Sequence, residues 1–414
     1  MQKVTLFFCL IVVCFGCGTS SKKAVNPVAG LWRVELDITE ENKSIPFFLE
    51  IIEEQSALKA AIWNGHERIV HDDVRLVGDS LFLESPYFNS SFLLKHDKNI
   101  LEGIWVDHSR GDYQVPVKAK YNLSERFRFK GPMVSDADGK WEVRFSPNSD
   151  DEYKAIGLFE TDENSMKGTF ITETGDYRFL DGGFGGDQLK LSTFDGSHAF
   201  LFEADLVNDT LRGWFWSGKH WKEPFVAWRN DSINLADPYA MTALTNPDEP
   251  ISFSFKDMDG QMVSIDDEEF RNKPVLVQIM GSWCPNCMDE AAFLAAQQDY
   301  LEEAGVKVIG LSFERLEYEE ARGPLLKLQG SLNLNYPILY AGKANKKEAT
   351  KSVPWLKEIK SYPTLLFVLP NRKVFRIHTG FYGPGTGPYF EKQSTEMFDD
   401  IRKLIELSKT QATL

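Results

Sequence analysis

Between residues 26 and 230 apolar and polar positions alternate in short runs. Trp32-Arg33-Val34-Glu35-Leu36 and Ser80-Leu81-Phe82-Leu83 are examples. Gly, Asp and Asn separate the runs and helical periodicity is almost absent, so the pattern predicts short β-strands joined by tight turns. A duplication lies over this pattern. Gly30-Leu31-Trp32-Arg33-Val34 matches Gly139-Lys140-Trp141-Glu142-Val143. Gly78 to Leu83 matches Gly186 to Leu191, and Leu101-Glu102-Gly103-Ile104-Trp105 matches Leu211-Arg212-Gly213-Trp214-Phe215. The order is kept and the offset stays near 109 residues. Each repeat, 26–122 and 136–230, reads as roughly eight short strands. A sheet of that size has unpaired edges unless it closes on itself or packs on a second sheet. Two small antiparallel barrels in tandem are therefore expected, with one composite barrel or sandwich as the alternative. Small barrels are usually filled by side chains. Trp214, Trp216, Trp221 and Trp228 accordingly read as core and barrel-end residues in preference to cavity lining.

Asp231 to Pro250 is polar and proline-bearing, which marks a linker. From Ile251 the pattern becomes alternating strand and helix. Lys273 to Met280, Val306 to Phe313 and Thr364 to Leu369 are apolar runs of strand length. Tyr336 to Tyr340 adds a short strand, and Lys373 to His378 pairs beside the last run across the Asn371-Arg372 turn. Met288 to Leu301, Glu317 to Leu328 and Phe390 to Leu407 carry helical spacing. Residues 251–410 are thus expected to form an α/β domain, a mixed sheet covered by helices.

The chemistry concentrates at Trp283-Cys284-Pro285-Asn286-Cys287. The segment sits between the Lys273–Met280 strand and the helix that follows, which puts Cys284 at or near a helix N-terminus. Backbone N–H groups and the positive dipole end there favour a thiolate. The two sulfurs can lie on one side of the first turn and close a small disulfide, an arrangement suited to reversible redox chemistry. Five cysteines occur, at 9, 14, 17, 284 and 287. Structural zinc needs four ligands. Here there is one Cys-x-x-Cys knuckle and, in the C-terminal part, only His378, so no metal site is expected. No cofactor beyond the redox-active Cys284–Cys287 disulfide is expected.

Composition narrows the partners. Net charge is −15, which excludes a basic surface for nucleic acid. Lys3 is followed by an apolar run, Val4 to Phe15, too short to span a bilayer and of the length of a signal-peptide core.

Three resemblances add expectations. Gly16-Cys17 and the polar stretch Gly18 to Lys23 resemble a bacterial lipoprotein signal. This implies a signal peptide over 1–17 and lipid attachment at Cys17, in the cell envelope on the periplasmic side or surface. The Gly-x-Trp opening each repeat resembles the lipocalin and avidin group, in which the Trp plugs the barrel end. Residues 250 to 408 resemble the exported TlpA/ResA-like thiol–disulfide oxidoreductases of the thioredoxin fold. The resemblance rests on Phe255-Lys256-Asp257-Met258-Asp259-Gly260, on Pro274 to Gln278 leading into Trp-Cys-x-x-Cys, on Glu290, and on Tyr362-Pro363-Thr364 before the next core strand.

That likeness implies that Cys284 is the exposed attacking thiolate and Cys287 the buried resolving thiol. Glu290 would manage the proton of Cys287. By its place on the helix, Asp289 points elsewhere and reads as a surface residue. Pro363 would be cis and sit beside the disulfide, and Trp283, Pro285 and Tyr362 would help form the docking surface. Two positions depart from the family. Proline follows the first cysteine here, whereas relatives more often have it before the second, and Gln278 stands where thioredoxin has a buried Asp. The activity implied is reduction of disulfides in exported proteins, fed by a membrane thiol electron donor. A disulfide oxidase or isomerase is the alternative enzyme. A ligand-binding or assembly lipoprotein with a regulatory redox domain is the alternative of another class.

Overall fold

The computed structural model describes residues 27–411 apart from 39–41, 55–56, 112, 135 and 163–164. The signal-like segment and Cys17 lie outside the described residues.

Both repeats are antiparallel meanders. The first forms a nine-stranded sheet running from Gly30–Asp37 to Tyr113–Tyr121. Its first and last strands pair, Val34 opposite Ala119, which curls the sheet round on itself. The strands Glu67–His71 and Val74–Val77 are left as its two edges, so this barrel is nearly closed. In the second repeat Tyr153–Asp162 pairs with both Gly139–Phe145 and Ser165–Thr172. That double pairing closes an eight-stranded ring, with Gly175–Asp176 as a short ninth strand beside Ser165–Thr172. Two tandem barrels, and not one composite sheet, are what the chain builds.

Alternation decides what goes inside. Trp32, Val34 and Leu36 point inward opposite Leu49, Phe47 and Ile45. The second core is aromatic, with Phe170 and Phe215 each packed on Phe202 at ring distances of 4.4 and 4.5 Å. Duplicate details persist. Trp32 Nε1 donates to the Val28 carbonyl and Trp141 Nε1 to that of Ala137, four residues back in each case. Gly103 and Gly213 occupy matching strand crossings: a Cβ at either would stand 2.0 Å from a carbonyl oxygen of the neighbouring strand.

The second repeat lends side chains to the core of the first. Phe194, from the second repeat, is fully buried among first-barrel aromatics, 4.7 Å from Phe47, 5.4 Å from Phe92 and 5.1 Å from Trp105 between ring centres. Asn64 holds its backbone by both faces: Nδ2 donates to Phe194 O (2.8 Å) and Oδ1 accepts from Phe194 N (3.1 Å). Trp216 is buried against the same first-barrel cluster. The tryptophans therefore divide otherwise than expected. Trp214 and Trp221 are 44% and 51% exposed, because their positions face away from the ring interior. Where the barrels meet, a groove of about 1210 Å³ is lined by Phe48, Trp63, Arg126, Phe127, Phe129 and Lys167 among others.

Residues 231–250 carry no regular element, and Leu244 makes a lone bridge to Leu356. The C-terminal domain is thioredoxin-like. Its seven-stranded mixed sheet has Val275–Met280 at the centre, parallel to Lys307–Glu314 and antiparallel to Thr364–Val368. The central strand is buried along its whole length, as its uninterrupted apolar run requires. Helices Pro285–Ala296, Tyr318–Ser331 and Pro388–Gln411 cover the sheet. The expected single helix from Met288 to Leu301 breaks at Gln297, and a short helix, Lys346–Ser352, adds to those foreseen.

Candidate redox site

The strand Val275–Met280 ends at Met280, and the chain turns through Gly281–Trp283 into the helix that opens at Pro285. Pro285 suits this first helical position, where its missing N–H costs no bond and its fixed φ is helical. Cys284 is the N-cap, its sulfur accepting from Cys287 N at 3.3 Å. The two cysteines form a disulfide with Cα atoms 5.3 Å apart. Charge that develops on Cys284 Sγ on reduction is therefore met by the helix N-terminus.

Neighbouring strands hold the turn in place. The buried Glu314 carboxylate accepts from Ser282 N and Ser282 Oγ, both at 2.7 Å, and from Ser312 Oγ. Burial pushes its pKa up and these donors pull it back. Trp283 Nε1 donates to Phe313 O at 3.0 Å. The indole stands edge-on to Tyr362, 5.5 Å between ring centres, with the Arg315 guanidinium 4.5 Å above it. The Tyr362–Pro363 bond is cis, and the Tyr362 carbonyl oxygen lies 3.6 Å from Cys284 Sγ. Trp283, Cys284, Pro285, Tyr362 and Pro363 thus meet at one end of the sheet.

Glu290 is fully buried on the inner face of the helix. Gln278 Nε2 donates to its Oε2 at 2.9 Å and also reaches the Cys287 carbonyl at 3.3 Å. Oε1 has no hydrogen-bond partner. Burial raises the pKa of Glu290 to about 8, with the Gln278 amide opposing the shift. Near neutral pH this carboxyl holds its proton and can exchange it. Gln278, which cannot itself carry a proton, positions the group that can.

Two expectations fail, for one reason. Cys284 is only 6% exposed and Cys287 is 0%. The Asp289 carboxylate is almost fully covered and pairs with Arg178 of the second barrel. The barrels pack over this end of the redox domain. Burial lifts Asp289 to about 7, while Arg178 pulls it down. Arg178 also pairs with Glu67 of the first barrel at 2.6 Å, so one guanidinium links all three units. Asp176 Oδ2 accepts from Asn286 Nδ2 at 2.9 Å and from Gly383 N at 2.6 Å. The Gly380–Pro388 loop meets the barrel here. Arg178, Asp176 and Glu314 carried no sequence signal, since each acts through partners distant in the chain or by its backbone neighbours. Among the described residues no cluster of His, Cys, Asp and Glu is arranged to hold a metal ion.

With this geometry established, comparison with known proteins adds three findings. Residues 248–376 match the AhpC/TSA family. The chain is similar to thiol-disulfide oxidoreductase ResA of Bacillus subtilis (strain 168), 21% identical over 129 residues, which cover 31% of this chain and 64% of the relative. The match thus spans less than two thirds of that relative's length. Among solved structures, it is similar to a thiol:disulfide interchange protein of the thioredoxin family from Chlorobium tepidum TLS, with 18% identity, 37% of this chain and 99% of the other covered, and a TM-score of 0.28. The thioredoxin domain of a thiol-disulfide oxidoreductase from Bacteroides vulgatus gives 20% identity, the same 37% and 99% coverage, and a TM-score of 0.28.

Proposed function

We propose that this chain, whose C-terminal domain resembles the TlpA/ResA-like proteins of the thioredoxin fold, is a thiol–disulfide oxidoreductase that reduces disulfides of exported proteins. The observation that carries this reading is the Cys284–Cys287 disulfide at a helix N-terminus, opposite the cis Tyr362–Pro363 bond. In the dithiol form, the Cys284 thiolate attacks one sulfur of a partner disulfide. The partner S–S bond breaks, a Cys284–partner disulfide forms, and one partner thiolate leaves. Cys287 then gives its proton to the ionised fraction of Glu290, and its thiolate attacks Cys284 Sγ. The mixed disulfide breaks, the second partner thiolate leaves, and Cys284–Cys287 is again a disulfide. Two electrons have passed to the partner, and a membrane dithiol donor restores them. Lipid attachment at Cys17, on the periplasmic side or surface of the envelope, would hold the enzyme beside that donor.

The test is reduction of insulin disulfides by the full chain. Cys284→Ser should abolish turnover, and turnover at the wild-type rate would sink the proposal. The Pro285-Asn286 dipeptide between the cysteines motivates the oxidase or isomerase reading, and the reduction potential of the pair separates the two. A value near roughly −270 mV supports a reductase, and one nearer roughly −120 to −180 mV an oxidant or isomerase. The ligand-binding alternative has less support, because both barrel interiors are filled by their own aromatic and aliphatic side chains.

A further inference from the structure

We propose that the turn after strand Ser165–Thr172 is a built-in cover on the redox pair, held shut by Asp176 and Arg178, and that a protein partner reaches Cys284 only when it lifts. The turn lies over the surface where a partner would dock. Ser361 Oγ donates to the Thr174 carbonyl at 3.3 Å. The Thr174 backbone lies so close to Gly380 that a Cβ there would stand 2.7 Å from Thr174 O. Gly175 lies against the dipeptide between the cysteines, and a Cβ on it would stand 2.7 Å from Asn286 Oδ1. A second loop helps, since Ser197 Oγ donates to the Trp283 carbonyl at 3.2 Å. Barrel loops thus touch Ser361, Gly380, Asn286 and Trp283, the residues that surround Cys284.

The fastening is polar. Asp176 holds Asn286 and Gly383, and Arg178 holds Asp289 from the redox domain and Glu67 from the first barrel. Interfaces between domains that are built from ion pairs and hydrogen bonds resemble transient contacts more than cores. Apolar contacts also join the barrels to the redox domain: Tyr87 and Phe88 enter the redox-domain cluster, and Ile156 and Ile171 of the second barrel pack with Tyr382 and Tyr389. The clasp at Asp176 and Arg178 is the polar part of this mixed interface, and the cover opens when that part yields while the Tyr87 and Phe88 contact holds. A partner then reacts at its intrinsic rate multiplied by the open fraction.

Size discrimination tests this in the oxidised full chain. A small phosphine and reduced thioredoxin each supply two electrons to the Cys284–Cys287 disulfide, thioredoxin leaving as its own disulfide. The wild-type pair should react readily with the phosphine and slowly with thioredoxin. Asp176→Ala and Arg178→Gln should each raise the thioredoxin rate about tenfold or more. The phosphine rate and the equilibrium constant with glutathione should stay within about twofold of wild type. An unchanged thioredoxin rate in a variant that still unfolds cooperatively overturns the cover. So does a rise matched by a change in potential, because the sulfur and not its access would then have changed. The wild-type chain gives a second test that needs no variant. Once reduced, Cys284 should be alkylated by iodoacetamide and spared by a maleimide carrying a bulky polymer, and equal labelling overturns the cover. The inference rests on the reading that Cys284 meets a protein. These rates report access to the sulfur, so a chain that discriminates by size yet reduces no insulin would sink that reading and keep the cover.

Discussion

The two barrels descend from one pattern and close in different ways. The second is a complete ring, sealed by the ladder between Tyr153–Asp162 and Ser165–Thr172. The first ends in two unpaired edges, and its core contains an aromatic ring on loan from its neighbour, Phe194. By the 109-residue offset, Glu67 of the first repeat stands where Asp176 does in the second. Both corresponding turns reach the same place, Glu67 to bind Arg178 and Asp176 to bind the redox domain. A duplicated unit thus keeps its plugs and tight crossings, while its seam and its turn have diverged toward neighbours. What was copied is the scaffold, and what changed is how each copy meets the rest of the molecule.

Phe194→Ala is the most direct way to break this comparison. It should destabilise the chain by about 3–5 kcal/mol, the usual cost of deleting a buried Phe. The loss should fall on the first barrel, although the residue belongs to the second. Urea unfolding followed by tryptophan fluorescence can see this, because Trp105 packs on Phe194. Phe202→Ala, the same deletion inside the closed ring, should lower the second barrel instead. Equal loss in both barrels from either change would mean that the two cores melt as one.

A pH series then separates the barrels from the redox domain. A carboxyl whose pKa is raised on folding gives stability at low pH that is lost as pH rises toward the folded value. For Glu290 that window runs from the ordinary value of 4.5 up to about 8. Oxidised Glu290→Gln should match wild type near pH 5 and exceed it near pH 8 by about 2–4 kcal/mol in urea unfolding. A constant gap would show that the proton does not reside on Glu290. The smallest effect expected comes from Gly103→Ala and Gly213→Ala, about 1–3 kcal/mol each from a strained crossing. Similar shifts in melting temperature would support the equivalence of the repeats, and unequal ones would show which copy has relaxed.

The sequence revealed what is local. The strand into Cys284, the proline at the first helical turn and the Tyr362-Pro363 pair before a strand are neighbours along the chain, so periodicity and motif spacing expose them. The repeat was legible because Trp32 and Trp141 recur with their surroundings. Asp289 was misread because helical spacing says which face a residue occupies and nothing about what covers that face. Its partner Arg178 is 111 residues away, in another domain. Burial of Cys284 was hidden for the same reason. Trp214 and Trp221 show the converse: the expectation that side chains fill a small barrel puts them inside, and their strand positions turn them outward.

The seat of Phe194 has a bearing on inheritance. A gene segment encoding the first repeat alone would carry the socket without the ring that fills it. Asn64, which grips the Phe194 backbone, would be left with a buried amide and nothing to hold. Shuffling of this module between genes must therefore move the pair together, and homologues that keep a single repeat are expected to carry a bulkier residue at the socket in place of the missing phenylalanine.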